Sequence, residues 1–149
     1  MKTAIDLRTA PYAALLLRLS LGVMFLAHSV YLKFFVFSLP GTAKYFGSLG
    51  LPPESAYLVF AAETAGGLAL ILGFQTRTVA VTLIPVLLGA TWAHSGNGWV
   101  FSADGGGWEY PLFLAVTAAV QALLGGGAYA LTRQGPIVDA ILRHKDEAA

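Results

Sequence analysis

The sequence has no cysteine and very little charge. Without cysteine there are no disulfides, no CxxC redox centre, no cysteine-ligated iron–sulfur cluster and no covalently attached c-type haem. Only 11% of the 149 residues are charged, against 56% hydrophobic. Soluble domains carry about 25% charged residues, so this chain cannot cover a water-facing surface in the usual way. Its net charge of +1 and the lack of any Lys/Arg-rich run give no field for nucleic acid. No HExxH or other close ligand spacing is present, and no metal site is expected.

What is present is apolar length. No Asp, Glu, Lys or Arg occurs from Thr78 to Ala103, or again from Tyr110 to Thr132. A bilayer-spanning helix needs about 20 apolar residues. Four stretches qualify: residues 11–37, 55–74, 78–94 and 108–131. The expected fold is one all-α transmembrane domain over 1–149, four helices in an antiparallel bundle with a polar tail at 132–149. The first stretch, behind Lys2 and Arg8, is too long for a signal peptide and reads as a retained helix.

The connections fit. Residues 38–54, with Pro40, Gly41, Gly47, Gly50, Pro52 and Pro53, read as a connection that stops one helix and starts the next. Gly73–Phe74–Gln75–Thr76 makes a tight hairpin turn. Residues 95–107 are glycine-rich yet carry Trp99 and Phe101, so that loop is expected to fold back into the interface. Both termini are expected in the cytoplasm, because that side then collects Lys2, Arg8, Arg77, Arg133, Arg143 and Lys145 against Lys33 and Lys44.

Arg18, His28, Lys33 and Glu63 sit inside apolar stretches, where an ionisable group faces the bundle and finds a partner. Arg18 lies ~12 Å along its helix and Glu63 ~13 Å along the next from the opposite face. Across a core of about 30 Å those depths nearly coincide, and an Arg18–Glu63 ion pair is expected. At about 100° per residue Arg18, Gly22, Ser29 and Lys33 share one stripe, and Glu63 shares another with Gly67. The plainer reading is a polar staple that fixes helix pairing without chemistry.

A second group gathers at the end opposite the termini: His28, Lys33, His94, Glu109 and Tyr110, with Trp92, Trp99 and Trp108 around them. Histidine exchanges protons near neutral pH and a carboxylate can orient it. The set suits a ring-bearing, polar-headed, lipid-soluble molecule such as a quinone. Against this, Trp and Tyr at that depth also serve as an interfacial belt, Lys33 can snorkel, and Glu109 can cap a helix.

LLLRLSLGVMFLAHSVYLK (Leu15 to Lys33), ETAGGLALILGFQTR (Glu63 to Arg77), ATWAHSG, GGGWEYPLF and GGGAYAL occur in that order. Together they resemble the DoxX family, small four-helix membrane proteins of bacteria and archaea. Ser29 stands where the family commonly has glycine, and Ala128 and Thr132 where its terminal motif has Arg and Asp. The resemblance implies a functional set of Arg18, His28, Glu63, Arg77, His94, Glu109 and Tyr110. It also implies a bacterial or archaeal cell membrane and a link to quinone oxidoreductases. The expected function is a redox-associated subunit that binds or supports a quinone. His28, His94, Glu109 and Tyr110 would handle protons; Arg18, Glu63, Lys33, Trp92 and Trp108 would hold the ligand. A membrane scaffold or assembly factor and an oligomeric small-solute transporter remain open, with other membrane subunits or further copies of the chain as partners.

Overall fold

A computed structural model describes residues 6–132, all helix, turn and loop. The polar tail expected beyond Thr132 lies outside the described residues. Five helices follow in order: α1 (Ala10–Leu26), α2 (Leu39–Ser48), α3 (Ser55–Leu72), α4 (Thr76–Ala93) and α5 (Glu109–Leu124). Helix α1 continues without a break into ten residues of π-helix, Ala27–Val36. Three of these units are long and apolar enough to cross a membrane: Ala10–Val36, Ser55–Leu72 and Thr76–Ala93.

Local chemistry explains the boundaries. Pro11 stands in the first turn of α1, where its missing N–H costs nothing. Ser38 breaks the chain with a positive φ of 61°, and its side chain accepts a bond from the Gly41 N–H to start α2. Residues 38–54 are therefore not the plain connection expected from their prolines and glycines; Pro40 falls in the first turn of α2, the one place a helix tolerates it. Helix α3 stops at Gly73, left-handed at φ 71°, and the Phe74 N–H bonds back to the Ala69 carbonyl at 2.8 Å. That closes a glycine-capped helix end and directs the chain straight into α4.

Helix α5 is shorter than the sequence suggests. It ends at Leu124, not near Leu131, because Gly125 takes φ 81° and the chain turns back. Residues Gly125–Thr132 then plug the end of the molecule. Ala128 N–H bonds to the Pro11 carbonyl, and Leu131 and Thr132 N–H groups bond to the carbonyls of Leu72 and Gly73. This end, with the start of α1 and the α3–α4 turn, is the tight-turn end; the opposite end is the loop end.

Leu21, Phe25, Leu70, Leu83, Leu87, Ala115 and Ala118 form one core drawn from α1, α3, α4 and α5. Helices α1 and α3 approach through Gly22 and Gly67. A Cβ on Gly22 would stand 2.7 Å from Ile71 Cγ1 and 2.9 Å from the Gly67 carbonyl oxygen. Small residues let backbones approach this way where lipid removes the hydrophobic drive between helices. Arg18, Gly22 and Ser29 are buried and Lys33 half-buried on the stripe that their spacing predicts, and Glu63 and Gly67 are buried on theirs.

Candidate functional site

The charged residues inside the helices do not pair as their depths suggest. Glu63 Oε2 receives Lys33 Nζ at 2.6 Å, with the side chains only 8% and 17% exposed. Arg18 is 1% exposed and has no carboxylate partner among the described residues. Its Nη1 donates to the carbonyls of Leu70 and Ile71, each at 3.1 Å, and its Nη2 to that of Ala128 at 3.2 Å. The expected Arg18–Glu63 pair is thus replaced by two separate arrangements.

The reason is side-chain direction. In a helix the Cα–Cβ bonds tilt toward the N-terminus. Helix α1 starts at the tight-turn end, so Arg18 leans that way, onto the carbonyls that end α3. Those carbonyls carry the negative end of the α3 dipole and stabilise a cation. Lys33 leans down from the loop end, while Glu63, on a helix that starts at the loop end, leans up. They meet.

Around that pair the other polar contacts are longer. Lys33 Nζ also donates to the His28 carbonyl at 3.4 Å, and the buried Thr42 of α2 donates its hydroxyl to the Ser38 carbonyl at 3.0 Å, 3.5 Å from the Lys33 carbonyl. Sequence reasoning missed Thr42, because it falls in the stretch read as a connection. The π-helical stretch, in which bonds run one residue further than in an α-helix, was equally hidden. It is the wider helix here that carries His28, Ser29 and Lys33.

His28 faces the start of α5. Its Nδ1 lies 2.9 Å from the Met24 carbonyl, which can only accept, so Nδ1 donates there and Nε2 is left without a partner in the chain. The imidazole stacks on the Tyr110 ring with centroids 5.8 Å apart and planes at 28°. Next to Tyr110 an apolar cleft of about 430 Å³ opens, lined by Trp99, Phe101, Glu109, Tyr110, Leu112, Phe113 and Val116. Among the described residues no group of three His, Asp or Glu side chains is placed to hold a metal ion.

The other expected site residues are spent on the loop itself. His94 Nδ1 donates to the carbonyls of Gly105 and Gly106 at 3.0 and 3.1 Å. Glu109 Oε1 accepts from the Phe101 N–H at 2.9 Å. Trp108 packs edge-on against Trp99, centroids 4.5 Å apart, while Trp92 is largely exposed on α4. The structure therefore brings together His28 with Tyr110 and Lys33 with Glu63. It puts Glu109 and Trp108 at the cleft and its loop, uses His94 to hold that loop, and leaves Arg18 at the far end. Removing the His94 ring by H94A is expected to cost about 1 kcal/mol of local stability. The measurable result is faster proteolytic cleavage between residues 98 and 107, with global unfolding little changed.

Comparison with known proteins meets this geometry on the first four helices. The DoxX family model matches residues 13–96, more than half of the chain. The chain belongs to the DoxX family. The match takes in α1 to α4, and with them Arg18, His28, Lys33, Glu63, Trp92 and His94. A Bacillus subtilis (strain 168) protein named "Putative oxidoreductase CatD" is 41% identical over 76 residues, which is 51% of this chain and 54% of that protein. This DoxX chain thus spans about half the length of the curated relative it matches. No solved structure matches it.

Proposed function

We propose that this DoxX protein is a redox-associated membrane subunit that binds a quinone, or supports a partner that does, at the loop end. One observation carries the reading: the stacked His28–Tyr110 rings beside an apolar cleft open at the rim. A flat ring-bearing molecule with a polar head matches such a cleft, apolar along its wall and hydrogen-bonding at its mouth. The Bacillus subtilis relative named "Putative oxidoreductase CatD" points the same way.

Reduction of a quinone to a quinol takes up two electrons and two protons. In this reading the electrons come from a partner subunit, and the chain manages protons and orientation. The Tyr110 hydroxyl exchanges protons at the cleft, and His28, stacked on Tyr110, exchanges them from beside it. Glu109 and His94 hold the loop that walls it, and Trp99 and Trp108 give it a rigid aromatic side. The Lys33–Glu63 pair sits behind His28 and fixes the π-helical stretch that presents it. Arg18 belongs to the frame, not the cleft.

The topology proposed with it has α5 as the fourth span and both termini in the cytoplasm of a bacterial or archaeal cell. Arg8 and Arg77 lie at the tight-turn end and Lys44 at the loop end, which is the distribution that orientation requires.

Titration of the purified protein with a short-chain quinone tests the reading through quenching of tryptophan fluorescence. Saturable quenching is expected in the wild type. H28A and Y110A are each expected to weaken it about two- to tenfold, since an aromatic stack contributes ~0.5–1.5 kcal/mol beyond burial. A wild type that shows no saturable quenching, and that purifies without quinone or redox partner, overturns it in favour of a scaffold.

A further inference from the structure

The tight-turn end holds a group of polar atoms that nothing so far explains. Six buried side-chain polar atoms have no hydrogen-bond partner among the described residues, and all six gather there: Arg18 Nε, Gln75 Oε1, Thr76 Oγ1, Arg77 Nε, Thr78 Oγ1 and Gln121 Oε1. Four of them belong to consecutive residues at the start of α4. Buried polar groups are nearly always paired, so a concentration of orphans at one place calls for a missing partner.

The geometry says what kind. Helix α4 is 18 residues long and no side chain caps its first turn. Uncapped N–H groups and the positive end of the helix dipole favour an anion. Thr76, the first residue of α4, is 2% exposed with its hydroxyl unpaired. Arg77 makes no ion pair among the described residues.

Two buried glycines of the closing turn lie against these groups. A Cβ on Gly125 would stand 3.0 Å from Arg77 Nε and 3.2 Å from Nη2, and one on Gly126 would stand 3.4 Å from Thr76 Oγ1. Successive Cα atoms are 3.8 Å apart, so the guanidinium and the hydroxyl flank one two-residue turn. Hydroxyl, guanidinium and helix N–H groups on one side, with no acid among them, form a donor set for an oxyanion.

We propose that the start of α4, with Thr76 and Arg77 against the Gly125–Gly126 turn, binds a phosphate-type oxyanion. Arg77 supplies a charge-assisted fork, Thr76 donates its hydroxyl, and the first-turn N–H groups take the remaining oxygen. Arg18, already bonded to three carbonyls, backs the turn from below. The same chemistry serves the phosphodiester of a lipid headgroup or free phosphate. This site stands at the opposite end from the cleft and does not depend on quinone binding.

The test uses the full chain in dodecyl maltoside, a detergent without phosphate, offered phosphatidylglycerol in one arm and inorganic phosphate in the other. Binding is followed by native mass spectrometry and by thermal melts. The wild type is expected to retain one of the two at least about tenfold better than T76V or R77Q, the size of a lost charge-assisted bond. T76S should restore retention, and R8Q, which alters an exposed arginine at the same end, should leave it unchanged. Retention of phosphatidylglycerol assigns a headgroup; retention of phosphate assigns a soluble anion. Should T76V or R77Q not fold, phenylglyoxal labelling of the wild type gives the same information: the bound anion should slow labelling of Arg77 and not of Arg8. A wild type that retains neither ligand, equal losses in R8Q and R77Q, or unprotected Arg77 each overturns the site.

Discussion

Replacing Glu63 with glutamine is expected to destabilise the protein by about 3 kcal/mol, the lower part of the range for breaking a buried pair. The loss comes from what remains, not from what is removed. Lys33 would keep its charge with no counter-charge, held only by the neutral glutamine oxygen and the long bond to the His28 carbonyl at 3.4 Å. Its 17% exposure lets some polar surroundings reach it, which holds the figure below the top of the range. The double variant K33M/E63L, apolar on both sides, should recover most of the loss, because neither charge is then left behind. Thermal unfolding in mild detergent reads all three proteins. A single variant within about 1 kcal/mol of the wild type would mean that the pair is screened like a surface salt bridge.

Gly22→Val is the second large effect. The first added carbon already falls 2.7 Å from Ile71 Cγ1 and 2.9 Å from the Gly67 carbonyl oxygen. One of those neighbours is backbone and cannot rotate away, so α1 and α3 must separate. Overpacking of this kind costs about 1–3 kcal/mol, and the upper end is expected because the shift would also stretch the Arg18 bonds to Leu70 and Ile71. Gly89→Ala is the matched control. Nothing lies within 4 Å of its added carbon, and in mid-helix alanine is favoured over glycine by roughly 0.5–1 kcal/mol. The two variants should therefore move the unfolding midpoint in opposite directions.

The sequence made the apolar helices legible because charge is so scarce: α1 with its π-helical extension, α3 and α4 begin and end within two residues of the apolar stretches 11–37, 55–74 and 78–94. It concealed α2 because glycine and proline were weighed as breakers, although Ser38 and Pro40 together make a good helix start. It overextended α5 because Ala128 to Leu131 is as apolar as the helix before it; the decision lies in the backbone of Gly125. For the site, periodicity told which residues face inward, and Arg18, Ser29 and Glu63 all do. It did not tell which inward residues touch. Depth along two antiparallel helices brings Arg18 and Glu63 close on paper, but side chains on neighbouring antiparallel helices lean in opposite directions along the axis. A lysine higher on α1 reaches a glutamate that an arginine lower on α1 leans away from. The His28–Tyr110 contact was accessible only as a gathering of residue types at one end, since nothing in a sequence measures 5.8 Å.

The bonding of Arg18 also imposes an order on biogenesis. Its acceptors lie 52 and 53 residues later at Leu70 and Ile71, and 110 residues later at Ala128. At about 5–20 residues per second of synthesis, the guanidinium waits roughly 3–10 s for the end of α3 and roughly 5–20 s for the closing turn. Lys33 waits for Glu63 only 30 residues on. Until then α1 carries two unmatched cations in a stretch otherwise fit to enter lipid. The first helix thus depends for its polar partners on chain that has not yet been made.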